Sequence, residues 1–162
     1  MATTNLSAYD PANIPDAGKM RFGIVVSDWN SEITGKLLDG AVRTLKKHGA
    51  LSKNIVIKHV PGTFELTLGG QFLAEYDDLD GVICLGCVIR GETPHFDYIC
   101  QSVTHSITEL NLHFDIPFIF GILTTLNIDQ ARERAGGNYG NKGIEAAITA
   151  IKMVALKRKF RD

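Results

Sequence analysis

The residue types that could carry chemistry are concentrated at positions 86–96, where the chain reads GCVIRGETPHF. His95 can accept or donate a proton, because imidazole changes its protonation state near neutral pH. Gly91 lets a ligand approach the backbone closely, and Thr93 supplies a hydroxyl group that can hydrogen-bond to an anion. These residues indicate an anion-binding loop followed by a proton-transfer residue. An ordinary helix cap with a surface histidine is the alternative interpretation.

Two elements must position this loop, a strand before it and a helix after it. Residues 81–89 form a continuous apolar run rich in β-branched side chains, as expected for a strand buried on both faces. Apolar side chains then recur at helical spacing, at Phe96, Ile99, Val103, Ile107 and Leu110. A loop that leads from a parallel strand into a helix presents unpaired backbone N–H groups, and such groups bind anions.

The alternation of strand and helix continues along the whole chain and predicts its fold class. The predicted strands are 21–27, 54–60, 81–89 and 117–124, and the predicted helices are about 31–48, 63–76, 95–112, 127–134 and 144–155. No hairpin signal separates them, so we expect a four-stranded parallel sheet in a three-layer α/β/α sandwich. Residues 21–162 are predicted to form this single domain. Residues 1–20 are predicted to form an N-terminal arm, either disordered or lying on a neighbouring subunit.

Composition and charge exclude several classes of protein. The 17 basic and 18 acidic side chains give a net charge of −1, which argues against a general nucleic-acid or anionic-membrane surface. No apolar run approaches the ~20 residues of a membrane span, and the first residues do not resemble a signal peptide, so we expect a cytoplasmic protein. Cys84 and Cys87 lie three positions apart on a predicted strand and therefore on opposite faces. Together with Cys100 they are interpreted as buried or half-buried thiols, with neither a disulfide framework nor a metal site.

Right-handed crossovers bring the carboxyl ends of all four strands to one edge of the sheet. Trp29, the only tryptophan, follows the first strand; it is either a lid over the core or a stacking platform for a flat heteroaromatic ligand. The short helix at 127–134 is expected to return Arg134 to the same edge. His59 is assigned a structural role, because it is predicted to lie inside a strand and away from the loops.

Five blocks of sequence, in order, resemble the lumazine synthase family. They are DWN at 28–30, PGTFE at 61–65, GCVIRGETPHFDY at 86–98, FGILTT at 120–125, and ERAG at 133–136 with GNKG at 140–143. The resemblance runs from about residue 21 to the end of the chain. It implies a flavodoxin-like fold and the penultimate step of riboflavin biosynthesis. In that step 5-amino-6-(D-ribitylamino)uracil condenses with 3,4-dihydroxy-2-butanone 4-phosphate to 6,7-dimethyl-8-ribityllumazine, without a metal or an organic cofactor.

The resemblance also implies a role for each residue of the site. His95 matches the proton-transfer residue. The residues that match the pyrimidine and ribityl positions are Trp29, Asn30, Phe64, Glu65, Val88, Ile89, Phe120 and Lys142. Those that match the phosphate site are Arg90, Gly91, Glu92, Thr93 and Arg134. Phe120 matches a residue that reaches into the adjacent subunit's site, so the active site is expected to be shared between subunits.

Two positions depart from the family pattern. Trp29 stands where relatives usually carry phenylalanine, and the wider ring is expected to favour flavin-like ligands. Asn138 stands where many relatives carry lysine, so the role of that lysine is not transferred.

The resemblance further implies a homo-oligomer, a pentamer, and association with riboflavin synthase. Residues 134–143 have no insertion, which favours a closed 60-mer of twelve pentamers.

Two other functional classes of protein stay open. A flavin-binding or electron-transfer protein of flavodoxin shape would not need His95 and Arg134 around an anion loop, and a shell-forming scaffold would be catalytically silent.

Overall fold

Four parallel strands form the middle layer of a three-layer α/β/α sandwich in the computed structural model, which describes Asn5 and residues 7–161. They are β1 (Phe22–Ser27), β2 (Ile55–Val60), β3 (Gly81–Ile89) and β4 (Phe118–Thr125), in the order β2–β1–β3–β4. All three strand pairs are parallel. The predicted sheet is confirmed, and each predicted strand matches within one residue at either end.

Five helices connect and cover the strands. They are α1 (Ser31–Lys47), α2 (Leu66–Tyr76), α3 (His95–His113), α4 (Ile128–Glu133) and α5 (Lys142–Lys159). Helix α2 begins three residues later than predicted, because Glu65 Oε2 accepts a hydrogen bond from the Gly62 N–H at 3.0 Å and holds residues 62–65 in a turn. Helix α1 ends as predicted, with Gly49 in the left-handed conformation at φ 101°.

The segment before α5 differs from the predicted glycine-rich loop. It forms a small antiparallel hairpin of β5 (Ala135–Gly137) and β6 (Gly140–Asn141). Gly140 has a φ of 80°, a conformation that favours glycine and allows the chain to reverse in two residues.

Side chains of the strands alternate between two hydrophobic cores. One core lies against α1 and α5 and contains Phe22, Ile24, Leu37, Leu45, Ile83, Leu85, Cys87 and Ile151. The other lies against α2 and α3 and contains Val25, Leu66, Val82, Cys84, Val103, Ile107 and Phe118. Cys84 and Cys87 thus lie on opposite faces of the sheet, as predicted. Full burial of a leucine, isoleucine or phenylalanine contributes about 1.5–3 kcal/mol each, so these two layers fix the strand ends that carry the loops.

The described part of the N-terminal arm packs on its own chain. The Tyr9 hydroxyl lies 3.2 Å from His48 Nε2, and the Ser7 hydroxyl accepts a hydrogen bond from the Asn141 N–H at 2.8 Å. Ala17 and Met20 are buried in the first core, which therefore reaches into the segment that the sequence assigns to the arm. Residues 1–4 and 6 of the predicted arm lie outside the described residues. None of the helices described is long and apolar enough to cross a bilayer.

Candidate active site

A cavity of about 620 Å³ opens at the carboxyl ends of β1, β2 and β3. It lies where the strand order reverses, between the loops that follow β1 and β3, which is the usual ligand position in open parallel sheets. The predicted site residues that line it are Trp29, Asn30, Phe64, Glu65, Val88, Ile89, Gly91, Thr93 and His95. Sequence reasoning did not assign Gly62, Thr63, Cys87, Phe96 and Ile99, which also line it. The positions of Gly62, Thr63, Cys87 and Phe96 within the PGTFE and GCVIRGETPHF blocks are the available signal, and Ile99 lies on the next turn of the helix after Phe96.

Trp29 is held at the rim of the cavity by its backbone. Its N–H donates to Pro61 O at 3.0 Å, and the side-chain amide of Asn30, a residue with a φ of 61°, donates to Cys87 O at 2.9 Å. The indole is 73% exposed. A lid over the core would be buried, so this exposure favours the stacking interpretation.

His59 is closer to this rim than the sequence suggested. Its Nδ1 lies 2.8 Å from Asp28 Oδ1, directly before Trp29. The prediction that His59 is remote from the loops is wrong, because it is the penultimate residue of the edge strand β2 and its side chain is exposed toward the β1 loop.

The loop between β3 and α3 offers backbone donors to the cavity. Within the described chain, the N–H groups of Gly91, Glu92 and Thr93 have no hydrogen-bond acceptor. A Cβ added to Gly91 would meet no atom within 4 Å, so packing within the chain does not require glycine there. The space above the Gly91 backbone is therefore open to a ligand.

His95 is the first residue of α3 and lines the cavity with an exposed side chain. No atom of the described chain hydrogen-bonds its ring, which leaves both nitrogens available to a ligand. Cys87 lies at the floor of the same cavity, and burial raises the pKa of its thiol to about 11. The thiol therefore stays protonated at neutral pH, and a cysteine nucleophile is not supported.

Arg90 is placed differently from the prediction of a phosphate ligand. Its Nη2 donates to Asp97 Oδ1 at 2.6 Å and its Nη1 donates to Asp97 Oδ2 at 3.2 Å. Its guanidinium carbon lies 4.3 Å from the centroid of the Phe96 ring. Both terminal nitrogens thus bond Asp97, and Arg90 does not line the cavity, so the geometry of the single chain does not support Arg90 as a phosphate ligand. Glu92 is exposed and does not line the cavity either.

Arg134 follows α4 but does not line the cavity, contrary to expectation. The Arg132 side chain pairs with Glu32 at 2.8 and 3.1 Å, which fixes α4 against α1. Arg134 Nη1 donates to Gln130 O at 2.9 Å, and its guanidinium lies 4.7 Å from the centroid of the Tyr139 ring. These two contacts hold the Arg134 guanidinium against its own segment, and the sequence pattern does not reveal them.

Two further predicted residues lie outside the cavity of their own chain. Lys142 Nζ pairs with Glu145 Oε1 at 2.7 Å at the start of α5. Phe120 is half-buried in β4 against the core beside α2 and α3. Lysine and arginine are therefore absent from the residues that line the described cavity.

A second cavity, of about 400 Å³, lies at the opposite end of the sheet. Four of its charged side chains pair with each other, Arg158 with Asp80 and Lys157 with Asp115, both at 3.2 Å. Among the residues described, no group of three or more His, Cys, Asp or Glu side chains is arranged to hold a metal ion.

Nearly the whole chain matches known proteins. The family described as 6,7-dimethyl-8-ribityllumazine synthase matches residues 19–158. The 6,7-dimethyl-8-ribityllumazine synthase of Parabacteroides distasonis is 64% identical over 156 residues, covering 95% of this chain and 98% of that protein. The protein of the same name from Phocaeicola vulgatus is 56% identical over 163 residues, covering 99% of this chain and 97% of that protein. That from Porphyromonas gingivalis is 55% identical over 160 residues, covering 98% of this chain and 99% of that protein.

Proposed function

Because the chain belongs to the 6,7-dimethyl-8-ribityllumazine synthase family, we propose that the cavity between Trp29 and His95 is where it carries out the family's reaction. The enzyme acts in riboflavin biosynthesis. It condenses 5-amino-6-(D-ribitylamino)uracil with 3,4-dihydroxy-2-butanone 4-phosphate to 6,7-dimethyl-8-ribityllumazine and releases phosphate. One observation carries the proposed location: an exposed indole, a loop with unpaired N–H groups and a histidine border the same cavity.

The cavity divides naturally between the two substrates. In our proposal the pyrimidine stacks on Trp29, its ribityl chain runs along Phe64 and Glu65, and the backbone of Val88 and Ile89 hydrogen-bonds the ring. A volume of about 620 Å³ falls within the range of ~300–1,000 Å³ that is usual for small-molecule sites.

The phosphate group of the second substrate is assigned to the loop before α3. The N–H groups of Gly91, Glu92 and Thr93 are unpaired within the described chain, and a helix amino terminus carries a partial positive charge. The Thr93 hydroxyl adds a donor. Glu92 takes part through its backbone alone, since its carboxylate would repel the anion.

His95 is proposed to move the protons of the reaction. The amine of the pyrimidine attacks the ketone to form an imine, phosphate leaves through an enol, and the second carbonyl closes the ring. A positioned histidine is typically worth ~10²–10⁴-fold in rate. Holding the two substrates together contributes more, because effective molarities reach ~10⁵–10⁸ M.

We propose that the site is completed by an adjacent subunit. A phosphate dianion needs a cation, yet no lysine or arginine is among the residues that line the described cavity. Arg134, Lys142 and Phe120 match the family's site and lie away from the cavity of their own chain. Their placement is explained if an adjacent copy supplies all three.

An exposed apolar stripe beside the cavity supports this assembly. It consists of Phe64, in the turn before α2, and of Leu68, Phe72 and Tyr76 on α2, which are 49–80% exposed and follow each other at intervals of four residues. A second copy would bury this stripe. We propose a pentamer, and a 60-mer of twelve pentamers, which light scattering distinguishes from a monomer by mass.

The cytoplasm is the proposed compartment of the protein, and the three free cysteines are consistent with it. Riboflavin synthase is the proposed protein partner.

The proposed function is tested by mixing the purified protein with both substrates and following lumazine fluorescence. We expect product that depends on both substrates. Riboflavin binding without product would instead favour a flavin-binding protein, and a closed shell with neither activity would favour a scaffold. Either result contradicts the proposal.

A further inference from the structure

Arg90 and Asp97 bracket the part of the chain that holds the anion loop and His95. Their side chains form two hydrogen bonds, of 2.6 and 3.2 Å, across the seven-residue separation. Asp97 belongs to the first turn of α3, and the Arg90 N–H donates to Thr125 O at 2.9 Å at the end of β4. The pair therefore connects the start of α3 to the edge of the sheet.

The residues between them have little other support. Gly91, Glu92, Thr93 and His95 are exposed, and none forms a side-chain hydrogen bond to another described residue. Phe96 is the exception, since its ring lies under the Arg90 guanidinium, 4.3 Å away, while also lining the cavity. A bidentate arginine–carboxylate pair fixes orientation as well as distance, which a lysine in the same place would not do.

Charge gives the pair a second effect. The Asp97 carboxylate lies two residues after His95, at the helix end where the phosphate is proposed to bind. A bare carboxylate there would repel a phosphate dianion, and the Arg90 guanidinium neutralises it.

We propose that Arg90 and Asp97 are positioning residues that hold His95 and the anion loop in place, and that Arg90 is not a ligand of the phosphate. This inference rests on the proposed function for its catalytic consequence. Its structural part, that the pair restrains residues 91–97, does not depend on any activity.

The kinetic test is a double-mutant cycle of Arg90→Gln, Asp97→Asn and both together. We expect each single variant to lower kcat by ~10–10²-fold, because small misplacement of a catalytic group is costly, with the KM of the phosphorylated substrate within ~3-fold. The double variant should be no slower than the slower single variant. Arg90→Lys should not restore kcat, because one ammonium cannot replace the bidentate contact.

A direct phosphate ligand would behave differently. Arg90→Gln would raise the KM of the phosphorylated substrate ~10-fold or more at unchanged kcat, Arg90→Lys would restore much of it, and Asp97→Asn would be as active as the wild type. That pattern would overturn the proposal.

Hydrogen–deuterium exchange at the start of α3 in the assembled protein separates this inference from the proposed function. The Asp97 and Tyr98 N–H groups report it, because both donate to Pro94 O, at 2.9 and 3.4 Å. We expect exchange to be ~10-fold faster in both single variants, without a further increase in the double variant. Arg43→Gln is the matched control, since it removes an exposed arginine from a pair with Asp39 on α1 and should change neither exchange nor kcat. Unchanged exchange in the Arg90 and Asp97 variants would contradict the restraint even if lumazine forms. Faster exchange in a protein that forms no lumazine would refute the function and leave the restraint standing.

Discussion

His95 is the residue on which the chemistry depends most directly. Its ring borders the cavity and has no hydrogen-bond partner in the described chain, so a substrate can reach either nitrogen. We predict that His95→Ala lowers kcat by ~10–10³-fold and leaves pyrimidine binding nearly intact, because the imidazole moves protons and does not stack on the ring. Lumazine fluorescence measures turnover, and quenching of Trp29, the sole tryptophan, measures binding. Turnover equal to that of the wild type would remove His95 from the mechanism.

Substitution of Gly91 tests phosphate binding by the anion loop without disturbing the fold. A Cβ at this position meets nothing within 4 Å in the chain, so Gly91→Ala should leave the melting temperature close to that of the wild type. If the phosphate approaches the backbone here, the added methyl group should raise the KM of the phosphorylated substrate by ~10-fold.

Gly35→Ala is the matched control for that variant, because a Cβ at Gly35 on α1 is equally unhindered. It should leave KM unchanged and stabilise the helix by roughly 0.5–1 kcal/mol. Equal KM values in the two variants would place the phosphate elsewhere.

At the scale of elements, the sheet could be predicted because its signal is local. Residues 81–89 are buried almost entirely and read as one apolar run, and β3 has those same bounds. The β5–β6 hairpin was missed since its strands are two and three residues long and rich in glycine. Sequence could place Trp29, Phe64 and His95 at one edge, because the ends of parallel strands meet there. It could not place the side chain of Arg134, which bonds Gln130 O and stacks on Tyr139 outside the cavity lining.

The ion pair between Arg132 on α4 and Glu32 on α1 makes α4 the element whose position can be tested. The hydrogen bond from Arg132 lowers the pKa of Glu32 below its ordinary value of 4.5. A carboxylate with a lowered pKa stabilises the fold above its ordinary pKa, and the contribution is lost as the pH falls through the folded-state value. We predict that Glu32→Gln slightly lowers the melting temperature at pH 7, and that the difference from the wild type shrinks as the pH falls below 4.5.

The same variant should affect catalysis if Arg134 on the adjacent copy binds phosphate. Loosening α4 is expected to raise the KM of the phosphorylated substrate by ~3–10-fold. Asp129→Asn is the control, because it removes the other carboxylate of Arg132 and leaves the contact with α1 intact. If the KM of Glu32→Gln equals that of this control, the position of α4 does not affect phosphate binding.

At the scale of the whole molecule, one chain holds only part of the proposed site. Its cavity has a stacking surface, backbone donors and a histidine, while Arg134 and Lys142 lie elsewhere on the surface. An exposed apolar stripe runs from the rim of the cavity along α2. The central claim is therefore that catalysis occurs between subunits, with His95 from one copy and Arg134 from the next.

Subunit complementation tests this claim most directly. His95→Ala and Arg134→Ala subunits, each nearly inactive alone, are co-assembled in equal amounts, and lumazine formation is measured. About one quarter of the interfaces in a random mixed ring join an intact His95 to an intact Arg134, so activity should recover toward that fraction of the wild type. Mixed assemblies that stay as inactive as the two parent variants would contradict a site shared between subunits.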